Sequence, residues 1–474
     1  MPQEILFKKS KKIDLLHRLI GDEGLRFLRF GLSSINRLLP HSETEAWRIQ
    51  LKQKRGKTKV VWQDNTRRAI NLAINLSISD FSPRKSPSKT FPKAITYRFL
   101  LTSTLKRKAK SIQRTLDSRE MDLCSQVVRR VSSIIGRRRG GIDAESLRAI
   151  RRLFEEQVIA AHLRYTRGIK ADLAEVFASL RELAEQSYEN KALSYGIIFV
   201  SDEAEVLEGC NFPQDFFEFK RYKAMSDGYK TAFRLSSNGK VLDLVDLQKN
   251  SPKARLDHFY PEWTQYLAES SRDDLCGICL TRQGDILVFD GGSLRFTYRS
   301  GRWQYWNHRH VVDFLRDRAR AQHVNRKILP TVVRTLYRAT LDISFRRSGG
   351  LFVLLRNQRT FRKLVLEGDA IGDSNRDKRH NVFDESLTGK PIFSFSRLLL
   401  DEIAGLDGAV VVGNHGRLLA YGAVLQPGKR DKFNPSEGSR TKAAITASKF
   451  GIAIKVSSDG DVTFYEKGKP FLKL

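Results

Sequence analysis

Apolar residues over the first 190 positions recur at the helical period. In "DAESLRAIRRLFEEQVIAAHLRY", Leu147, Ile150, Phe154, Val158 and Ile159 fall on one stripe, with Asp143 placed to cap it. "KKIDLLHRLIGDEGLRFLRF" carries the same spacing, so residues 1–190 are expected to be mostly helical. Between these two lies "SISDFSPRKSPSKTFPKA", whose Ser, Pro and Lys content reads as an exposed linker. No internal repeat is evident. From about Ser194 the rhythm shifts to short apolar or alternating runs, "YGIIFV", "LCGICL", "DILVF" and "SLRFTYR", punctuated by Gln-Gly, Gly-Gly and Ser-Gly turns. "HVVDFLRDRARAQ" then returns to a helix and closes a mainly β or α/β middle domain over 191–325, a candidate sensor.

The remaining segment, 326–474, alternates helices with buried strands, the pattern of one α/β domain. "ILPTVVRTLYRATLDISF" is an amphipathic helix, "GGLFVLLR" a strand and "FSRLLLDEIAG" a short helix ended by Gly. The hairpin "LDGAVVVGNHGRLLAYGAVL", the helix "GSRTKAAITASKF" and the hairpin "GIAIKVSSDGDVTFYEKGK" follow. The expected class is multi-domain α/β: a C-terminal mixed β-sheet flanked by helices, a mainly β or α/β middle domain and a basic, mostly helical N-terminal region.

Length and charge refine this picture. A chain of 474 residues is long enough for two or three cores. No apolar run approaches the roughly 20 residues that span a bilayer. The start lacks the apolar core of a secretory signal, and four cysteines make no disulfide framework, so a cytoplasmic protein is expected. The net charge of +31 points to a polyanionic partner. It is concentrated over residues 51–152, with 26 Lys and Arg against 7 Asp and Glu, a region suited to nucleic acid or another polyanion.

Several groups could carry chemistry. Cys276 and Cys279 form a C-x-x-C, but a strand would point them to opposite faces, so they are expected to be core residues. His308 and His310 could share a strand face and ligate a metal; the alternative is an exposed strand end leading into a helix. Arg137 to Arg139 could grip phosphate or form plain basic surface. Asp407-Gly408-Ala409 alone is an ordinary turn. It gains meaning from Gly438-Ser439-Arg440-Thr441-Lys442, where a helix start exposes N–H donors beside two cations. A carboxylate to hold Mg²⁺ or Mn²⁺ and a cationic helix start are the minimum for binding a nucleoside triphosphate.

With these residues in hand, the segment 330–474 resembles the diadenylate cyclase domain of DNA-integrity-scanning proteins and their membrane relatives. "GGLFVLL", "SRLLLDEIAGLDGAVVV", "GSRTKAAITAS" and "IKVSSDGDV" follow one another as that family's motifs do. The resemblance implies a face-to-face homodimer through the C-terminal domain, each half holding one ATP, and condensation of two ATP into cyclic di-AMP. It implies Mg²⁺ or Mn²⁺ as cofactor, with Asp407 as metal ligand and catalytic residue. Gly408, Ala409, Ser439, Arg440, Thr441, Lys442 and Ser457 would contact the nucleotide, and Asp459 would be a second metal carboxylate. Two motifs depart from the family: its Arg-His-Arg is Arg440-Thr441-Lys442 here, and its acidic pair after Val-Ser is Ser458-Asp459. The alternative is therefore a domain that binds a nucleotide or cyclic dinucleotide as a sensor, without synthesis.

Overall fold

The computed structural model describes residues 11–39, 44–54, 69–78, 95–105, 117–137, 144–200, 210–218, 222, 224–249, 254–255, 257–321, 325–366, 369, 387, 389–426 and 437–474. Asp143, Arg138, Arg139 and the linker over 79–94 lie outside these residues, as do the side chains of Arg137 and Leu147. The chain forms two compact units. One comprises Met1–Asp246, Asp274–Val288 and Phe296–Tyr305; the other comprises Leu247–Asp273, Phe289–Arg295 and Trp306–Leu474.

The first unit opens with the expected helix α1 (Lys11–Leu38). Strands β1 (Thr44–Lys54), β2 (Ala69–Ile78) and β3 (Ile95–Leu105) then form an antiparallel sheet in the order β1-β3-β2, which the helical reading did not anticipate. Its signal is plain in hindsight: Ile70, Leu72, Ile74, Leu76 and Ile78 alternate with period two. Helices α2 (Ser118–Arg137), α3 (Ala144–Arg167) and α4 (Leu173–Ala184) follow. Phe154, Val158 and Ile159 of α3 are buried as their spacing predicts. Asp172 caps α4, accepting from the N–H groups of Ala174 and Glu175, and Leu173, Val176, Phe177, Leu180 and Leu183 form its buried stripe.

A two-stranded hairpin, β4 (Ser187–Tyr188) and β5 (Lys191–Ala192), precedes a larger sheet. That sheet is built from β6 (Tyr195–Phe199), β7 (Thr231–Leu235), β8 (Val241–Asp246), β9 (Cys276–Leu280), β10 (Ile286–Asp290), β11 (Ser293–Arg299) and β12 (Arg302–Tyr305). Its order is β12-β11-β10-β9-β6-β7-β8. Every residue of β6 and β9 is buried, as continuous apolar runs in central strands require. Cys276 and Cys279 are both buried in β9, three positions apart on opposite faces, as the sequence predicts.

The second unit contains α5 (Gln265–Ser270), α6 (His308–Ala321) and α7 (Leu329–Arg346). The histidine pair needs correction: both residues open α6 rather than sharing a strand face. His308 is buried, with Nδ1 2.8 Å from the Tyr337 hydroxyl and Nε2 2.6 Å from the Leu294 carbonyl oxygen. A six-stranded sheet follows, from β13 (Gly350–Leu355), β14 (Ala409–Val412), β15 (Leu418–Ala423), β16 (Gly451–Val456), β17 (Val462–Glu466) and β18 (Lys469–Lys473), in the order β15-β14-β13-β16-β17-β18. Strand β14 runs parallel to β13 and the other pairings are antiparallel, so the sheet is mixed. On one face, Leu351, Val353 and Leu355 pack with Ala444 and Ala447 of helix α9 (Ser439–Ala447). At Gly350, Ile343 of α7 and Ala404 of helix α8 (Arg397–Ala404) come so close that no side chain would fit. This is the expected α/β class, with helices flanking a mixed C-terminal sheet.

Candidate functional site

Sheet register decides which residues can meet. Gly350 at the start of β13 pairs with Val456 at the end of β16, and Phe352 pairs with Val410 of the parallel neighbour. Asp407-Gly408, Gly349-Gly350 and Ser457–Asp459 are therefore brought to one end of the sheet. Helix α9 starts at the same end. The guanidinium of Arg440 lies over Gly349, where a Cβ would stand 2.6 Å from its Nη1. From there Arg440 reaches toward Asp407, Nη2 to Oδ1 3.9 Å. Two residues 33 positions apart in the chain thus form one loose ion pair at the strand ends.

Asp407 is fully exposed, and no side chain caps α9, whose N-cap is Gly438. The first N–H groups of a helix lack partners within it, and they point toward the same space as the macrodipole's positive end. Ser439 is exposed at that start, while Ala409 is buried in β14 and contributes packing. Thr441 turns toward the sheet, where its hydroxyl accepts from Lys455 Nζ at 3.1 Å. Lys442 follows Arg440 by two positions, about 200° round the helix, so the two cations do not share a face. Ser457 Oγ donates to the Asp459 carboxylate, and that hydrogen bond holds Asp459 below the ordinary carboxylate range. Lys455 and Gly349 are site neighbours that the motifs did not single out. Their signals were a lone charge inside an apolar strand and a glycine pair opening another.

Gly408 has a reason of its own to be glycine. Its φ is +113°, and a Cβ would stand 2.3 Å from the carbonyl carbon of Gly422 on the partner strand. The tight hairpin thus demands glycine whatever binds nearby. Gly408→Ala is expected to destabilise the protein by roughly 2–4 kcal/mol in urea unfolding, through backbone strain and separation of β14 from β15. A loss under about 1 kcal/mol would show that the hairpin tolerates the side chain.

Among the described residues no group of three or more His, Cys, Asp or Glu side chains is arranged to hold a metal ion. Among them, too, no helix is long and apolar enough to cross a membrane.

No family model matches the chain, and no curated protein matches it. Among solved structures, a hypothetical membrane spanning protein from Bacillus cereus is 21% identical, over 35% of this chain and 76% of its own, with a TM-score of 0.23. DacA from Staphylococcus aureus, solved as a double mutant, is also 21% identical, over 31% of this chain and 87% of its own, with a TM-score of 0.20. Scores this low carry no argument about fold or activity.

Proposed function

We propose that residues 326–474 form a nucleotide-binding domain that takes ATP and condenses two molecules into cyclic di-AMP. The observation that carries this reading is the approach of Arg440 to Asp407 beside an uncapped helix start. An ordinary hairpin turn has no use for that arrangement, whereas a triphosphate needs a cation, N–H donors and a carboxylate for its metal together. The helix start at Ser439 and the guanidinium of Arg440 would hold phosphates. Asp407 fits one ligand of a Mg²⁺ or Mn²⁺ ion whose other ligands are phosphate oxygens and water, since its carboxylate is exposed and only loosely paired. Such an ion would offset charge developing on the phosphates.

In the reaction, the 3′-oxygen of each ATP forms a bond to the α-phosphorus of the other. The bond from that phosphorus to the bridging oxygen of the leaving pyrophosphate breaks, and the hydroxyl proton goes to a base or to solvent. One domain holds one ATP, so the reaction takes a homodimer through this domain, in the cytoplasm where ATP is abundant.

Full-length protein incubated with ATP and Mn²⁺ or Mg²⁺ is expected to release cyclic di-AMP, read by mass spectrometry. Binding of ATP by calorimetry without any product would leave the sensor reading, which Thr441 favours. Its hydroxyl is held by Lys455 and supplies no imidazole proton. No binding of ATP or cyclic di-AMP at millimolar concentration would sink both. Arg440→Ala is expected to weaken ATP binding about 10- to 100-fold, the worth of charge-assisted hydrogen bonds to phosphate.

The charge over residues 51–152 supports a second partner, nucleic acid or another polyanion. Its affinity for duplex DNA should fall at least tenfold between about 50 and 200 mM salt, as counterion release requires. A salt-independent interaction would point to a contact of another kind.

A further inference from the structure

The two large sheets share one plan. In each, a helix leads into a central strand, β6 or β13. The next strand, β7 or β14, lies parallel beside it and turns back as β8 or β15. A helix follows, and the chain returns antiparallel on the other side of the central strand as β9 or β16. The next two strands extend that edge in sequence order, giving β8-β7-β6-β9-β10-β11 and β15-β14-β13-β16-β17-β18.

The likeness extends to single hydrogen bonds. In the first hairpin, Ser236 N donates to Lys240 O and Gly239 N to Ser236 O, both at 2.9 Å; in the second, Gly413 N donates to Arg417 O and Gly416 N to Gly413 O, at 2.9 and 2.8 Å. Isolated bridges join Asn211 to Lys240 and Pro391 to Arg417, each beside a bond from the next residue, Phe212 or Ile392, to the turn glycine's carbonyl. After β9 and β16 the turns close alike: Thr281 N to Asp285 O and Gly284 N to Thr281 O, against Ser457 N to Asp461 O and Gly460 N to Ser457 O, all at 2.9 Å. The turns themselves are a common hairpin form. What the two sheets share beyond it is the matched bridge from the preceding crossover, Asn211 to Lys240 and Pro391 to Arg417, in the same place in the same strand order.

We infer that α4 to β11 and α7 to β18 are two copies of one fold, and that only the second carries a nucleotide site. Each chain therefore holds one nucleotide, and the first copy does not replace a second chain. The inference rests on the nucleotide reading above. The ladders fix the correspondence: Tyr195 pairs with Leu280 as Gly350 pairs with Val456, and Ile197 pairs with Phe233 as Phe352 pairs with Val410. Counting back three residues places Lys230 and Thr231 where the second copy has Asp407 and Gly408. The nearby Asp227 carboxylate is committed to the N–H groups of Tyr229, Lys230 and Thr231 at 2.8 to 3.0 Å.

The helix start is changed as well. Thr264 N donates to Pro261 O as Thr441 N donates to Gly438 O, both at 3.0 Å. Glu262, Trp263, Thr264 and Gln265 thus stand in place of Ser439, Arg440, Thr441 and Lys442. Both cations are gone and a carboxylate is added, which repels phosphate. The glycine pair Gly349-Gly350, over which Arg440 lies, is matched by Ser194-Tyr195, whose side chains occupy the positions that the second copy leaves without any.

Calorimetry of the full chain with an ATP analogue that cannot be cleaved at the α-phosphate, in Mg²⁺, is the test. The expected result is one equivalent per chain, lost in the double variant Arg440→Ala and Lys442→Ala with unchanged circular dichroism. Two equivalents per chain, or one that survives the double variant, would overturn the inference and leave nucleotide binding standing. No binding by the unaltered chain would instead overturn the nucleotide reading, and the count of one site with it.

Discussion

Asp407→Asn is expected to cut cyclic di-AMP formation by at least 100-fold while leaving the melting temperature unchanged. Both halves follow from one fact: the Asp407 side chain is fully exposed, and its ion pair with Arg440 is loose at 3.9 Å. An exposed side chain of this kind contributes within about 0.5 kcal/mol to folding, so its replacement by an isosteric amide costs almost nothing there. On the proposed reading, loss of the carboxylate's charge would by contrast remove one hard anionic ligand of the metal ion that the site would hold with the triphosphate. A deficit of about 3 kcal/mol in the transition state corresponds to more than 100-fold in rate. Product assayed by mass spectrometry and stability by thermal melting separate the two effects. A variant that keeps a tenth or more of the product would remove Asp407 from the chemistry. A variant that melts much lower would make it a structural residue, against its exposure.

Much of the second unit was legible because each of its elements advertises itself locally. The apolar run in "GGLFVLL" becomes a wholly buried central strand, and Ser439 opens a helix directly after Gly438. What local pattern could not supply was the meeting of distant groups. The ion pair between Asp407 and Arg440 depends on the parallel pairing of β13 with β14, a register that no window of sequence contains. Gly408 was legible as a glycine with a purpose, but the purpose visible in the fold is the approach of Gly422 across the hairpin. The internal duplication escaped for a related reason. The copies agree in turns and ladder spacing, which tolerate many side chains, while the residues that would betray a motif were replaced in the first copy. The sheet β1-β3-β2 escaped differently, since strongly helical stretches on either side drew the period-two alternation into their own reading.

His308 is expected to make the protein acid-sensitive between about pH 6.5 and pH 4. The Leu294 carbonyl can only accept, so Nε2 carries the hydrogen and Nδ1 accepts from the Tyr337 hydroxyl, leaving a neutral ring with both nitrogens engaged. Phe259 and Trp306 stack on it, with centroids at 5.4 and 5.9 Å. Burial first, and the charge of Arg295 second, push its pKa down from 6.5 to about 3, against the pull of the Leu294 carbonyl. Between these values the unfolded chain binds a proton that the folded chain refuses. The stability is therefore complete above the unfolded pKa and is lost as pH falls, by up to about 1.4 kcal/mol per pH unit, or roughly 3 kcal/mol by pH 4. Urea midpoints for the protein and for His308→Gln, taken at several values between pH 7 and pH 4, check this. The variant is less stable at neutral pH, because an amide fits the imidazole's partners poorly, but the gap should narrow steadily toward pH 4. A gap that stays constant would show that His308 does not titrate on unfolding. The same geometry predicts that Zn²⁺ leaves the melting temperature unmoved through this residue, since neither nitrogen has a lone pair to spare while the fold is intact.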